Sequence, residues 1–206
     1  MMSPDDLAAF LNARAGKLTA SRMAAAMSFL KNGKPSAERV KLMHELLAER
    51  LTGDSVRHYV TPAMEHGIQT EDEARLVYEC ETGRLVERGV TVDHPEIGYF
   101  AATPDGFVGD GLLEIKCPTT TTFIAWRLAG VVPEEHRPQM LAQLACTGRR
   151  WVDFFAYDPR IRKHPRFMLV RYEPKPEEIA AVEDAARAFL AELDEMFETL
   201  TSKEPA

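Results

Sequence analysis

The sequence predicts a mixed α/β fold of the α+β kind, with a central mixed or antiparallel sheet flanked by helices. Three observations predict it. Apolar residues recur at helical spacing between 36 and 78. From 85 to 116, short β-branched and aromatic runs alternate with Gly and Pro, the punctuation of strands and tight turns. Two further strand-like runs, at 151–157 and 166–172, precede a long amphipathic stretch from 176 to 200.

Taken in order, the chain begins with a short helix around Leu7, Phe10 and Leu11. Thr19 and Ser21 then stand as N-caps for an apolar stretch from Met23 to Leu30. With Arg14 and Lys17 close by, that helix start reads as an anion site suited to a phosphate. Read for structure alone, it is a capped helix with incidental cations. A loop at 31–35 leads to Ser36, which caps a helix with Val40, Met43, Leu46, Leu47 and Leu51 on one stripe and Gly53 at its stop.

Thr61 and Pro62 open the next helix. Met64, Ile68, Glu71, Arg75 and Tyr78 share its stripe, so two charged residues lie on an otherwise apolar face. A buried Glu71–Arg75 pair one turn apart accounts for them structurally. Alternatively, Glu71 faces an acidic site where a cation offsets its desolvation. Gly67, one turn earlier, would let the helix approach the sheet closely.

Strand signals at 85–92, 97–103, 107–108 and 112–116 follow, expected as an antiparallel meander. Its last part carries the chemistry. Asp105 lies in a Pro-Asp-Gly turn, and Glu114 and Lys116 share one face of a strand while Leu113 and Ile115 take the other. Asp105 and Glu114 are hard oxygen ligands for a divalent cation such as magnesium, with Lys116 placed to orient a water. The bland reading is a solvated hairpin with a weak Glu–Lys pair. A helix at 123–128 stopped by Gly130 and a second at 134–147 come next. Gln139 and Gln143, four apart, share a face of the second and could hydrogen-bond a phosphate or a water, or simply be surface residues.

Composition bounds the function. No apolar run approaches the roughly 18 residues of a membrane span, and the N-terminus is acidic where a secretory signal is basic, so a cytoplasmic protein is expected. Three widely spaced cysteines, Cys80, Cys117 and Cys146, exclude a disulfide framework and a four-cysteine iron–sulfur cluster, and are expected to act as small hydrophobes. The net charge of −7 is uneven. Residues 173–206 hold ten acidic against three basic residues, while 14–41 hold seven basic against one acidic and 127–171 nine against four. A neutral body with two basic segments suits a polyanion partner.

Six blocks appear in order: R-x-G-x-x-T-A-S (14–21), G-x-x-x-E-x-x-A-R (67–75), T-P-D-G (103–106), L-E-I-K-C-P (113–118), P-x-x-x-x-x-Q-x-x-x-Q (133–143) and Y-D-P-R (157–160). The chain thereby resembles the PD-(D/E)xK nuclease core of restriction-endonuclease type, and more closely the YqaJ-type phage recombination exonucleases, the group of lambda exonuclease. The resemblance implies a magnesium-dependent enzyme, two ions being expected, with manganese able to substitute. Such an enzyme degrades one strand of linear duplex DNA 5′ to 3′ and processively, leaving a 3′ overhang for recombination by strand annealing. It implies that Asp105, Glu114 and the Ile115 carbonyl hold the metals, that Glu71 completes the acidic cluster, and that Lys116 activates the nucleophile. The family glutamine falls at Gln139 or Gln143, gapless counting back from Tyr157 favouring Gln139. Arg14 and Ser21, with Thr103, map to a 5′-phosphate pocket, and Arg127 and Arg160 are candidate backbone contacts.

A ring-shaped homotrimer, a single-strand annealing partner and a phage or prophage origin are implied likewise. On this reading one domain spans 1–206, with an N-terminal helical region to 60, a nuclease core at 61–172 and an acidic C-terminal helix from 173. Two alternatives stand beside it: an endonuclease of the same fold, which has no use for a terminal-phosphate pocket, and a non-catalytic module that binds DNA ends.

Overall fold

The computed structural model describes residues 12–55, 62–162 and 165–202, without side chains for 62–68. The expectations at Leu7, Phe10, Leu11, Thr61, Met64, Gly67 and Ile68 lie outside what it describes.

Leu18–Thr19 (β1) runs into a single 3-10 turn, Ala20–Arg22, and a four-residue helix, Met23–Ala26 (α1). The helix expected over 23–30 is therefore cut short, and neither Thr19 nor Ser21 caps it: Arg22 holds the N-cap position and no side-chain cap bond forms. Two pairings explain this. Leu18 and Thr19 pair in parallel with Phe100 and Ala101, and a Phe29–Pro35 bridge draws the chain away after α1. So short a helix has little dipole to offer an anion. Any anion site here must be made of side chains.

Ala37–Thr52 (α2) starts on Ser36, whose hydroxyl accepts the Arg39 N–H at 3.1 Å. Its buried face is Leu42, Met43, Leu46 and Leu47, whereas Val40 and Leu51 are 42% and 49% exposed. The stripe is turned because two charged residues, Arg39 and Glu49, point inward with partners, Arg39 making a two-pronged pair with Glu192 at 2.7 and 2.8 Å. Pro62–Thr82 (α3) follows, then the short strands Glu87–Arg88 (β2), Val92–Asp93 (β3), Phe100–Ala102 (β4), Gly106–Val108 (β5) and Gly111–Lys116 (β6).

These five strands do not make one meander. β3 and β4 join β1 in a three-stranded sheet, while β2, β5 and β6 continue into Trp151–Tyr157 (β7) and Phe167–Tyr172 (β8) as a five-stranded sheet ordered β2-β5-β6-β7-β8. β6 and β7 are parallel and the other pairs of that sheet antiparallel, a mixed sheet as expected. A parallel pair needs a crossover. Thr120–Ala129 (α4), capped by Thr119, and Arg137–Thr147 (α5) supply it.

Helices cover both faces of the larger sheet. Ala74 and Tyr78 of α3 pack on Leu113, Ile115, Phe155 and Tyr157. Met140 and Leu144 of α5 and Phe123 of α4 pack on Leu112, Val152 and Phe154. The last helix, Pro176–Thr201 (α6), buries Val182, Ala186, Phe189 and Leu193 in a core shared with α1, α2, α5 and the small sheet. Its acidic faces are the outside of an internal helix–helix packing. Cys146 is buried and Cys117 partly so, as small hydrophobes are, but Cys80 is exposed. Among the described residues no helix is long and apolar enough to cross a membrane.

Candidate active site

Strand alternation sends Leu113 and Ile115 toward α3 and Leu112, Glu114 and Lys116 toward α5. Because helices cover both faces, Glu114 is fully buried, and the solvated-hairpin reading fails. The carboxylate is compensated by three donors. Gln139 Nε2 donates to Oε1 at 2.6 Å, Gln143 Nε2 to Oε2 at 2.5 Å, and the Lys116 ammonium to Oε1. Both glutamines therefore act on Glu114, and Gln143 is itself fully buried. Its Oε1 is left without a partner. Such an arrangement satisfies a buried charge that would otherwise cost several kcal/mol.

Asp105 follows Pro104 in the turn between β4 and β5, and its Oδ2 accepts the Ile115 N–H at 2.6 Å. Burial pushes its carboxyl well above the ordinary carboxylate range, and the nearby Glu114 and Glu71 push it further against Lys116 and the Ile115 N–H. Burial alone would lower Lys116, but Glu114 and Asp105 outweigh it and hold the ammonium above its usual value.

The third acid sits apart from this pair. Glu71 accepts Arg75 at 2.7 Å, so the ion pair foreseen along α3 forms, although Glu71 is partly exposed. Arg75 also donates to Asp72 at 2.8 Å and to the Asp105 carbonyl at 3.3 Å, tying α3 to the Asp105 turn. Among the described residues no three His, Cys, Asp or Glu side chains surround one ion-sized gap. Glu71 and Asp105 line one pocket, and Asp105 feels both Glu71 and Glu114, but the Glu114 oxygens are taken by Lys116 and the glutamines and Glu71 by Arg75.

That pocket, about 400 Å³, also contains Arg14, Thr19, Ser21, Thr103 and Gln139. Arg14 donates to Thr103 Oγ1 at 3.1 Å, Thr19 Oγ1 at 3.4 Å and Ser21 Oγ at 3.5 Å. A guanidinium among hydroxyls, one opening from the acids, is an anion cradle built by side chains alone. Burial and the neighbouring Arg22 disfavour the charge of Arg14, and Glu49 supports it. Arg127 and Arg160 do not line this pocket: Arg127 donates to the Phe167 carbonyl, and Arg160 to Asp158 at 2.6 Å and the Pro118 carbonyl at 2.6 Å.

Several lining residues went unmarked in the sequence. Thr19 was legible only as a cap, although it stands in the R-x-G-x-x-T-A-S block. Arg88, paired with Asp72 at 2.5 Å, gave no signal. Gly89 gave none either, yet a Cβ there would lie 1.7 Å from the Pro104 carbonyl oxygen, so only glycine lets this segment press against the Asp105 turn.

In chemical type, though not as a closed set, the donors suit a divalent magnesium-type ion. Asp105 and Glu114 offer hard oxygens, and their mutual repulsion in a buried site is what a cation relieves.

Comparisons with known proteins bear on the family and the fold. A family described as the YqaJ-like viral recombinase domain matches residues 9–150. An alkaline exonuclease, LHK-Exo, from Laribacter hongkongensis superposes with TM-score 0.87 at 42% identity, over 94% of this chain and 96% of that one. LHK-Exo in complex with dAMP gives the same values. A phage related exonuclease from Haemophilus somnus 129PT, at TM-score 0.69 and 13% identity over 89% and 96% of the two chains, shares the fold. No curated protein matched the chain.

Proposed function

Because this chain belongs to the YqaJ-like viral recombinase domain family, we propose that it is a magnesium-dependent exonuclease that degrades one strand of linear double-stranded DNA from a 5′-phosphorylated end. The strand is removed 5′ to 3′, leaving a 3′ single-stranded overhang for recombination by annealing. The observation that carries this reading is one pocket in which Asp105, Glu71 and Gln139 stand beside an arginine and hydroxyl cradle, with Glu114 and Lys116 bonded to Gln139 behind them.

Asp105, Glu114, the Ile115 carbonyl and Glu71 are the residues that would hold the metal. Magnesium, when bound, would supply Lewis acidity to the attacking water and to the scissile phosphate, two ions sharing that work. The remaining work falls to side chains. Lys116, bonded to Glu114 and Gln139, orients the attacking water and stabilises negative charge as it develops. Gln139 and Gln143 fix the Glu114 carboxylate. Arg75 ties Glu71 to the Asp105 turn. Arg14, Ser21 and Thr103, joined by Thr19, receive the terminal phosphate, placing the next phosphodiester at the acids.

Such an enzyme must accept any sequence, so its DNA contacts are to phosphates, Arg127 and Arg160 among the candidates. A homotrimeric ring, a single-strand annealing protein as partner, and work inside a bacterial host as a phage or prophage product complete the proposal; family membership supports them. The test compares a 5′-phosphorylated linear duplex with a covalently closed circle, each with magnesium and with EDTA. Digestion of the linear DNA alone, and only with magnesium, is expected. Cutting of the circle would favour an endonuclease of this fold.

A further inference from the structure

The side chains that would meet a terminal phosphate are Arg14, Ser21 and Thr103; what fixes the loop carrying Arg14 lies elsewhere. Gly16 is its pivot. It has φ +70°, and a Cβ there would fall 2.8 Å from Arg50 Cγ. Both of its backbone polar groups are taken by consecutive side chains of α2. Its N–H donates to Glu49 Oε2 at 2.8 Å, and its carbonyl accepts from Arg50 Nε at 3.2 Å.

Neither of these is an ordinary surface charge. Glu49 is 2% exposed and the Arg50 side chain 9%. Glu49 also accepts Arg22 at 3.1 and 3.4 Å, so one buried carboxylate balances the guanidinium beside Arg14 while holding the loop. Arg50 is gripped from α6 by Asp194 and lies over the Tyr99 ring at 4.2 Å. Tyr99 has φ +58°, a conformation costly for a bulky residue unless its surroundings enforce it, and its carbonyl accepts the Leu18 N–H at 2.8 Å. The clamp thus reaches from α6 through α2 to the start of β1.

Other restraints also act on this loop: the Lys17 N–H donates to the Arg14 carbonyl at 3.1 Å and closes a turn about Gly16. The Lys17–Asp93 pair at 2.7 Å is open to solvent, where such pairs contribute little. β1 begins at Leu18, on the far side of Gly16 from Arg14. Gly16, two residues from Arg14 and inside that turn, is where α2 fixes the loop.

We propose that Glu49 and Arg50 are positioning residues that set the preference for a 5′-phosphorylated end, by clamping Gly16 and so aiming Arg14 at the phosphate. This rests on the reading of Arg14, Ser21 and Thr103 as the terminal-phosphate pocket. Glu49 and Arg50 touch no DNA themselves; they act through Gly16.

The test uses two linear duplexes that differ only in bearing a 5′-phosphate or a 5′-hydroxyl, digested by wild type, Arg14→Ala, Glu49→Ala, Glu49→Gln and Arg50→Lys. The readout is the ratio of kcat/KM for the two ends, which does not depend on how much of a variant is folded. Glu49→Ala and Arg50→Lys should each lower the preference about tenfold, as expected for misplacing a charge-assisted hydrogen bond. The loss should appear mainly as a raised KM for the phosphorylated end. Glu49→Gln retains an acceptor for the Gly16 N–H and should keep more of the preference than Glu49→Ala. Variants that slow both ends by one factor, with the preference intact, would overturn the proposal. If Glu49→Ala is too unstable to assay, the Gln and Lys variants decide it by the same ratio. If wild type shows no preference, or Arg14→Ala keeps it, the pocket reading itself fails and the clamp with it.

Discussion

Replacing Asp105 with asparagine should make the metal-free protein more stable while abolishing its cleavage of DNA. Burial raises this carboxyl well above its ordinary value, and Glu114 and Glu71 add to the effect, so keeping it ionised in the folded state costs free energy. Asparagine removes that cost. It still offers an oxygen to the Ile115 N–H, now a neutral bond rather than one to a charged acceptor, which gives back about 1 kcal/mol. The net gain should be about 1–2 kcal/mol, within the range of substitutions that relieve strained functional sites. For a chain of this size that means a rise in Tm of about 2–8 °C.

The dependence on pH identifies the cause. A carboxyl raised in the folded state imposes no cost where both folded and unfolded forms are protonated, near pH 4 and below. The cost grows as pH rises through its folded value. The advantage of the asparagine variant should therefore be present at pH 8 and shrink toward zero near pH 4. Thermal melts of both proteins in EDTA at several pH values would measure it. An asparagine variant that is equally or less stable at pH 8, or whose advantage is the same at every pH, would refute the reasoning.

Other consequences follow from the same geometry. Since a proton competes with the cation for Asp105, the magnesium concentration giving half-maximal cleavage should fall as pH rises; a requirement that does not change with pH would contradict this. Gly89→Ala places a methyl against the Pro104 carbonyl and must displace the Asp105 turn, so kcat should fall by about 100-fold in protein that still folds; unchanged kcat would mean that the turn does not position the site. Affinity for duplex DNA, measured by fluorescence anisotropy in calcium, should drop steeply as salt rises from about 50 to 200 mM, because phosphate contacts dominate; a flat response would argue against them.

Much of the site was legible because its residues are local in sequence. The Pro-Asp-Gly turn and the Glu-x-Lys strand fall within fourteen residues, and strand alternation alone puts Glu114 and Lys116 on one face. Helical spacing likewise set Gln139 and Gln143 together, though not what they face: both turn onto Glu114 because the crossover helix covers that side of the sheet. What escaped depends on long-range pairing. β1 cannot be read from two residues without β4 beside it, and that pairing cuts short the helix expected after Met23. The division of the strands at 85–116 between two sheets is also a matter of partners. Glu49 and Arg50 look like solvated neighbours on a helix until Gly16 folds against them. The stripe of α2 was misplaced for a related reason, since Arg39 and Glu49 are buried with partners distant in sequence.

The claim at the centre of this account is that the cluster at the end of β6 performs the hydrolysis and is not a structural ion pair. Single-turnover digestion of a 5′-phosphorylated linear duplex by Lys116→Ala, set beside its DNA affinity in calcium, tests that most directly. The cleavage rate should fall by about 100- to 10,000-fold, with affinity within about threefold of wild type, since most of the binding comes from phosphate contacts elsewhere. Cleavage at the wild-type rate would contradict the account.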